Sequence, residues 1–378
     1  MDRDSAKRLT TEIAQIGRDN TEAVSPTLPD VSEISPSNPE VLTRYLYLMA
    51  VLDQGPDPKG VRMLLNNVVE RLYSEGIPIL TEPDLFFEHL QRVSTLIEEE
   101  HSVVKQARAA EWAESNESSP EDYALYFSQS RFGMQTTDYI GFYLMSRWGT
   151  PFYYISRLSN EGRTLREFIE RFDSCEIMTD KLKSHSKYGL GKAIGPKAAH
   201  LFAKWYVHTF DLRTQSARDR PGWGQYSYEV PFDSNAGRVL FRTGWLLAWA
   251  DLDEYRNWNA IQTEAGRGDN HYLRVTNIRG SGATKHVEDT EFRSAYDQLL
   301  TQLLRTKTSQ WRKVEIQQIP NVLLLDSEYT LGEFDDGLMS IGTSTCLNRD
   351  NPLCSQCPLQ EQCVGHQERP ELIQSYNT

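Results

Sequence analysis

Apolar positions recur at helical spacing in several parts of the chain. Val41, Leu42, Tyr45, Leu48, Val51 and Leu52 fall on one stripe, and Val61, Leu64, Leu65, Val68 and Leu72 on a second. Asp57 opens the second stripe as N-cap, with Pro58 at the first helical position, where its missing N–H is no loss. Thr81 and Asp84 frame a start ahead of Leu85, Phe86, Leu90, Val93 and Ile97. Ser119-Pro120-Glu121-Asp122 opens a further helical stretch, and Phe292, Tyr296, Leu299 and Leu303 mark a late one. Strand-like patches at 272–278 and 322–325 are few and isolated, and no repeat at a fixed period is seen. A mainly α fold is predicted. The stretch SPTLPDVSEISPSNP before residue 40 has no apolar period, so 1–39 reads as a surface arm or linker, with order beginning after it.

Composition narrows the class. With 39% apolar and 25% charged residues among 378, the chain is globular rather than disordered. No run approaches ~18 to 20 apolar residues, so no membrane span is expected. The start, MDRDSAKRLTTEIAQ, lacks the apolar stretch of a signal peptide, and five cysteines fit a reducing, cytoplasmic setting. A formal charge of −13 argues against binding nucleic acid through bulk charge. One window differs: residues 181–220 hold nine Lys and Arg against Asp211 and Asp219. Any DNA-binding surface is expected there.

Four cysteines fall close together, as Cys346, seven residues, Cys354, two residues, Cys357, five residues, Cys363, while Cys175 stands alone. Thiolates at such spacing suit Zn(II) or an iron–sulfur cluster, and either couples its binding to local folding. A structural zinc site normally pairs two CxxC knuckles. Here only Cys354 and Cys357 form one, which favours [4Fe-4S]. Cys175 reads as a small buried hydrophobe.

The segment GLMSIGTSTCLNRDNPLCSQCPLQEQC at 337–363 resembles the cluster loop of helix-hairpin-helix DNA glycosylases of the endonuclease III and MutY type, with seven residues in the first gap where six are usual. The resemblance implies a helix-hairpin-helix glycosylase fold of two helical lobes with a C-terminal [4Fe-4S] loop held by Cys346, Cys354, Cys357 and Cys363. It also implies a hairpin Gly-hydrophobic-Gly motif upstream and a Gly/Pro-rich loop ending in a catalytic Asp. Both occur in order: GLGKAIGPKAAHLFAKW at 189–205, then Pro221-Gly222-Trp223-Gly224 followed by Pro231-Phe232-Asp233. On this reading the domains are an arm at 1–39; a helical domain at 40–285 with an aromatic insertion, a hairpin at 186–206 and an acid loop at 221–246; and C-terminal helices at 286–378 with the cluster loop at 346–363.

Two hairpin registers are open, on Gly189-Leu190-Gly191 or on Ala193-Ile194-Gly195. Proline is tolerated in a first helical turn and costs ~3 kcal/mol inside a helix, so Pro196 as helix start selects the second. Ala193 then replaces the first hairpin glycine. Lys192, Ile194, Gly195 and Lys204 become the expected DNA-binding residues, with phosphate held by helix N-terminal amides. The register places Lys197 where the family's bifunctional members carry a nucleophilic lysine and MutY-type members carry none. It is either a Schiff-base former or a phosphate contact.

Asp233 falls where the family's catalytic carboxylate stabilises the sugar cation of N-glycosidic cleavage, and it is also a natural N-cap for the helix that follows. Two departures stand beside it: Asp-Ser-Asn at 233–235 in place of Asp-x-His, and 35 residues between Lys197 and Asp233, nearly twice the usual interval.

Gln54, in LMAVLDQGPD at 48–57, lies where the family's wedge amide enters the duplex, or in an ordinary C-capping turn. Eleven of the forty aromatics lie between Tyr123 and Tyr154, in a region matching nothing in the family. Phe127, Phe132, Tyr139, Tyr143 and Trp148 either line a large pocket for a flipped base or pack in the core. No histidine has a triad pattern: Ser184-His185 is a loop pair, and His200 and His208 read as helix-surface or core residues.

The expected activity is a DNA glycosylase that flips a damaged or modified base, including bulky phage-type bases in a defence role, and cuts its N-glycosidic bond. An abasic site is left, with lyase activity if Lys197 is the nucleophile. A divergent group with a similar fold, the proposed thymine pyrophosphorylases or amino acid–DNA transferases of phage DNA hypermodification, offers base modification as the alternative. A non-catalytic DNA-binding module with a structural metal is the third reading. The expected partner is double-stranded DNA carrying the base, met by a monomer in the cytoplasm on the nucleoid.

Overall fold

In the computed structural model the described residues are 1–53, 57–116, 119–121, 144–225, 228–231, 233–248, 319–321, 323–324, 327–347, 349, 351–370 and 372–373. They are mainly helical, with no strand among them. The patch at 322–325 departs from its strand-like reading, since Leu323 is helical. No described helix is long and apolar enough to cross a membrane. Gln54, Phe127, Phe132, Tyr139, Tyr143, the patch at 272–278 and the late stripe from Phe292 to Leu303 lie outside the described residues.

The chain divides into two compact units, Met1–Ser25, Phe172–Thr179 and Val207–Thr378 in the first, Pro26–Arg171 and Asp180–Tyr206 in the second. The division is not sequential, unlike the boundaries at 39 and 285 that the sequence implies. The reason lies at the N-terminus. The expected arm is in large part a helix, α1 (Arg3–Val24), capped by Asp2, whose side chain accepts from Ser5 N at 2.7 Å. Its buried face is Ala6, Leu9, Thr10, Ile13, Ala14 and Gly17, too poor in large apolar groups to stand out as a stripe.

Small residues are what its packing requires. In the first unit α1 lies along the helix Leu331–Ser344, and a Cβ on Gly17 would come 1.7 Å from Glu333 O. A Cβ on Gly337 of the same pair would come 1.9 Å from Ile13 O. Beyond the crossing, Arg18 donates through Nε to Glu333 (2.7 Å) and through Nη1 to Glu328 (3.0 Å), and Trp245 Nε1 donates to the buried Thr10 hydroxyl at 2.9 Å.

The second unit is built around α2 (Pro39–Leu52), buried from Val41 to Leu52 on every side, as expected of a helix apolar all round. Helix α3 (Pro58–Ser74) starts as its sequence predicts, with the Asp57 carboxylate accepting from Gly60 N at 3.2 Å. It packs on α4 (Leu90–Asn116). The start framed by Thr81 and Asp84 is a single turn, Leu85–Glu88, ahead of α4. Helices α5 (Thr150–Asn160) and α6 (Leu165–Glu170) also pack against α2. Glu40 near the start of α2 accepts from Leu165 N (2.9 Å) and Arg166 N (3.1 Å), so an acid of one helix satisfies the open amides of another.

Candidate functional site

The hairpin lies in the second unit, after α7 (Cys175–Ser184), within which the unit boundary falls. His185 Nδ1 accepts from Lys187 N (3.2 Å) and Tyr188 N (3.1 Å), folding the chain back. Gly189 passes so close to the helix end that a Cβ would meet His185 O at 2.5 Å, and Gly191 has φ +57°, open to glycine and strained for other residues. A single 3₁₀ turn, Gly191–Ala193, and an extended Ile194 lead to Gly195 as N-cap and Pro196 as first residue of α8 (Pro196–Lys204). Helix α8 begins where the proline argument puts it. Arg147 holds the turn by donating to Ala193 O at 2.6 Å.

The expected DNA-binding residues fare differently. Lys192 is exposed and Gly195 half-buried, whereas Ile194, at 1% exposure, is buried and not open to DNA. Lys197, second in α8, is half-buried. Lys204 is a correction: at 4% exposure it does not offer its ammonium to a surface phosphate. On the same helix Phe202 packs edge-on to Tyr47 with ring centroids 5.8 Å apart. Trp148 is likewise fully buried, a core residue rather than a wall open to an extruded base.

The acid loop and the cysteines lie in the first unit. Asp233 caps α9 (Ser234–Arg242): its Oδ1 accepts from Asn235 N at 2.9 Å and Ala236 N at 3.0 Å, which orients the half-buried carboxylate. Asn235, the departure from Asp-x-His, accepts through Oδ1 from Arg238 Nη2 at 2.7 Å. Arg238, 3% exposed, also donates to Gly342 O (2.7 Å) of α10 (Leu331–Ser344) and through Nε to Cys346 O (2.6 Å). One turn on, Arg242 donates to Cys346 Sγ (3.9 Å), Leu347 O (2.7 Å) and Arg349 O (3.2 Å). The C-terminal end of α9 is met by the last cysteine, with Cys363 Sγ donating to Arg242 O (3.4 Å) and Val364 N to Thr243 O (3.1 Å). Residues 235, 238 and 242 share one helical face, so the helix capped by Asp233 is fastened along its length to the cysteine loop. Sequence reading takes α9 for its cap and misses these arginines. Two arginines four residues apart, flanking the apolar run Val239-Leu240-Phe241, were the available signal.

Cys346, Cys354, Cys357 and Cys363 line one cavity, closed by apolar groups of Val239, Ile341, Pro352 and Ile373. Burial pushes the Cys363 thiol up to about 12 and raises Cys354 and Cys346. The Arg242 charge pulls Cys346 partly back. Cation binding there must therefore release protons. Four soft donors around an apolar space fit an iron–sulfur cluster. Among the described residues no three His, Cys, Asp or Glu converge as on a single ion. Lys197 belongs to the second unit and Asp233 to the first. Compared with known proteins, the chain finds no relative: no family model, curated protein or solved structure matches it.

Proposed function

We propose that the chain is a DNA glycosylase of the helix-hairpin-helix, iron–sulfur type that excises a damaged or modified base from duplex DNA. The observation that carries this reading is the chain of contacts from Asp233 through Asn235 and Arg238 to Cys346. An oriented carboxylate at a helix N-terminus, on a helix clamped to a four-cysteine loop, serves an enzyme that needs a fixed acid. The same carboxylate caps α9 whatever the function, and the glycosylase reading gives its fixed orientation a second use.

Cys346, Cys354, Cys357 and Cys363 hold a [4Fe-4S] cluster on this reading. When bound, it supplies cross-linking of a loop with little secondary structure of its own. Phosphate is met by exposed Lys192 and the backbone around Gly195 at the start of α8. Asp233 stabilises positive charge developing on the sugar as the N-glycosidic bond breaks. The hydrogen bonds to its Oδ1 prevent it from turning away. The base leaves with the bonding electrons and takes up a proton, and the nucleophile at the sugar carbon is water or, in a lyase, a lysine amine, for which Lys197 is the candidate.

The test is incubation of the purified protein with DNA from ordinary and hypermodified sources, followed by mass spectrometry of the small molecules and of the digested DNA. A freed base supports excision. A base that gains mass while its glycosidic bond stays intact replaces this reading with base modification, and no change in any DNA removes both.

A further inference from the structure

At the start of the hairpin three cations surround one aromatic ring. The Lys187 ammonium lies 5.2 Å from the Tyr188 ring centroid, the Arg163 guanidinium 5.4 Å and the Arg157 guanidinium 5.8 Å. The ring is 1% exposed, stacked on His185 and edge-on to Phe168, so buried neighbours fix its position. One carboxylate serves all three cations. Glu161 accepts from Lys187 at 2.6 Å and from Arg163, lies 3.7 Å from Arg157, and accepts from the Tyr188 hydroxyl at 2.5 Å.

Charge and exposure separate this cluster from an ordinary ion pair. Among the described residues three cations meet one carboxylate, an excess of two positive charges in a chain whose formal charge is −13. The cationic side chains stay open to water, at 41% for Arg157, 37% for Arg163 and 43% for Lys187. Burial first, then the charges of Arg171, Lys181 and Arg163, push the neighbouring His185 imidazole below its ordinary range. Holding the hairpin in place needs one cation for Glu161; gathering three raises their mutual repulsion unless an external anion shares the site. Guanidinium forks match phosphate oxygens in pairs, and ring faces hold the cations without neutralising them. Exposed Lys192 and the start of α8 follow Lys187 and Tyr188 within ten residues of the chain.

We propose that Arg157, Arg163 and Lys187 form a second phosphate-backbone contact for duplex DNA beside the hairpin, with Glu161 as the internal competitor that a DNA phosphate displaces. The choice of DNA rests on the glycosylase reading; the geometry of the cluster does not.

The experiment is fluorescence anisotropy of the full chain with a short random-sequence duplex over a salt series. In the double variant Arg157→Gln/Lys187→Gln, the slope of log affinity against log salt should become shallower by about 1 to 2, at roughly 0.9 for each phosphate that is no longer neutralised. Glu161→Gln should do the opposite, tightening binding several-fold with a steeper slope. That rise keeps the proposal testable if the double variant fails to fold, because a purely structural Glu161 would weaken binding or leave it unchanged. An unchanged slope in the folded double variant, with Lys192→Glu still weakening binding, overturns the second contact and leaves the DNA reading standing. No binding of the wild type to any duplex overturns both. Binding to phosphatidylserine vesicles that the double variant loses, with DNA affinity intact, assigns the patch to a membrane surface and also overturns the proposal.

Discussion

The Arg242 guanidinium reaches the Cys346 thiol with Nη1 3.9 Å from Sγ, and the same group holds Leu347 O at 2.7 Å and Arg349 O at 3.2 Å. At 1% exposure it is among the largest fully buried side chains of the protein. A buried cation depends on acceptors for its donors, and here both Nη atoms donate to the cysteine loop. Loop and helix therefore depend on each other.

Arg242→Met keeps the volume and removes these donors. Each hydrogen bond to a charged group is worth about 1.5 to 3 kcal/mol, so the loop should detach well before the rest of the unit unfolds. The expected result is a sharp fall in iron and sulfide per chain after anaerobic purification, with α-helical circular dichroism largely kept. Arg242→Lys should recover only part, because an ammonium cannot span three separated acceptors. Zinc in stoichiometric amount with no labile sulfide in the wild type would mean that the four thiols hold a mononuclear ion instead.

The crossing of α1 and α10 makes a second point of failure. Glycine to alanine inside a helix ordinarily gains about 1 kcal/mol. At Gly337 the added Cβ would sit 1.9 Å from Ile13 O, a backbone atom that cannot rotate away. The clash outweighs the propensity, since overpacking costs about 1 to 3 kcal/mol even where side chains can adjust. Gly337→Ala should therefore lower the melting temperature, as should Gly17→Ala from the other side of the contact. A rise in either variant would mean that the helices do not cross there.

These two predictions rest on contacts that differ in how far the sequence discloses them. Helix α3 is readable because Asp57 and Pro58 act locally, and the start of α8 because proline excludes the alternative register. Asp233 is readable twice, as cap and as candidate acid, and capping geometry is what the structure adds. Helix α1 is not readable from apolar spacing, because its buried face is built of Ala, Thr and Gly to permit close approach. Arg238 and Arg242 are charged residues whose burial is decided by carbonyls about a hundred positions away. Lys204 fails for the converse reason: charge predicts a surface, and the packing of α8 decides otherwise.

His185 gives the hairpin a pH dependence with a definite sign. Its Nδ1 must be unprotonated to accept from Lys187 N and Tyr188 N, and burial followed by nearby cations lowers its affinity for a proton in the folded chain. Between the lowered folded value and the ordinary value of about 6.5, the unfolded chain binds more protons, so stability rises with pH across that window and is lost as pH falls through it. Denaturant unfolding at pH 5 and pH 7.5 should show a larger loss in the wild type than in His185→Gln. Equal losses would assign the dependence to other groups.

The last prediction separates the roles of the two candidate catalytic residues. Asparagine caps helices about as well as aspartate, so Asp233→Asn keeps the acceptor for Asn235 N and Ala236 N and loses only the charge. If the charge stabilises a sugar cation, base release should fall by about 10² to 10³ or more, with melting temperature and DNA affinity nearly unchanged. Asp233→Ala should lose the activity and roughly 1 kcal/mol of stability besides, because the cap goes too. Retained activity in Asp233→Asn would leave this residue as a cap only. Lys197 is read independently by borohydride, which traps a Schiff base as a covalent protein–DNA adduct. An adduct in the wild type that is absent in Lys197→Ala makes the lysine the nucleophile. Base release that survives Lys197→Ala, with no adduct in either protein, makes the enzyme monofunctional, and α8 then presents its lysine to phosphate alone.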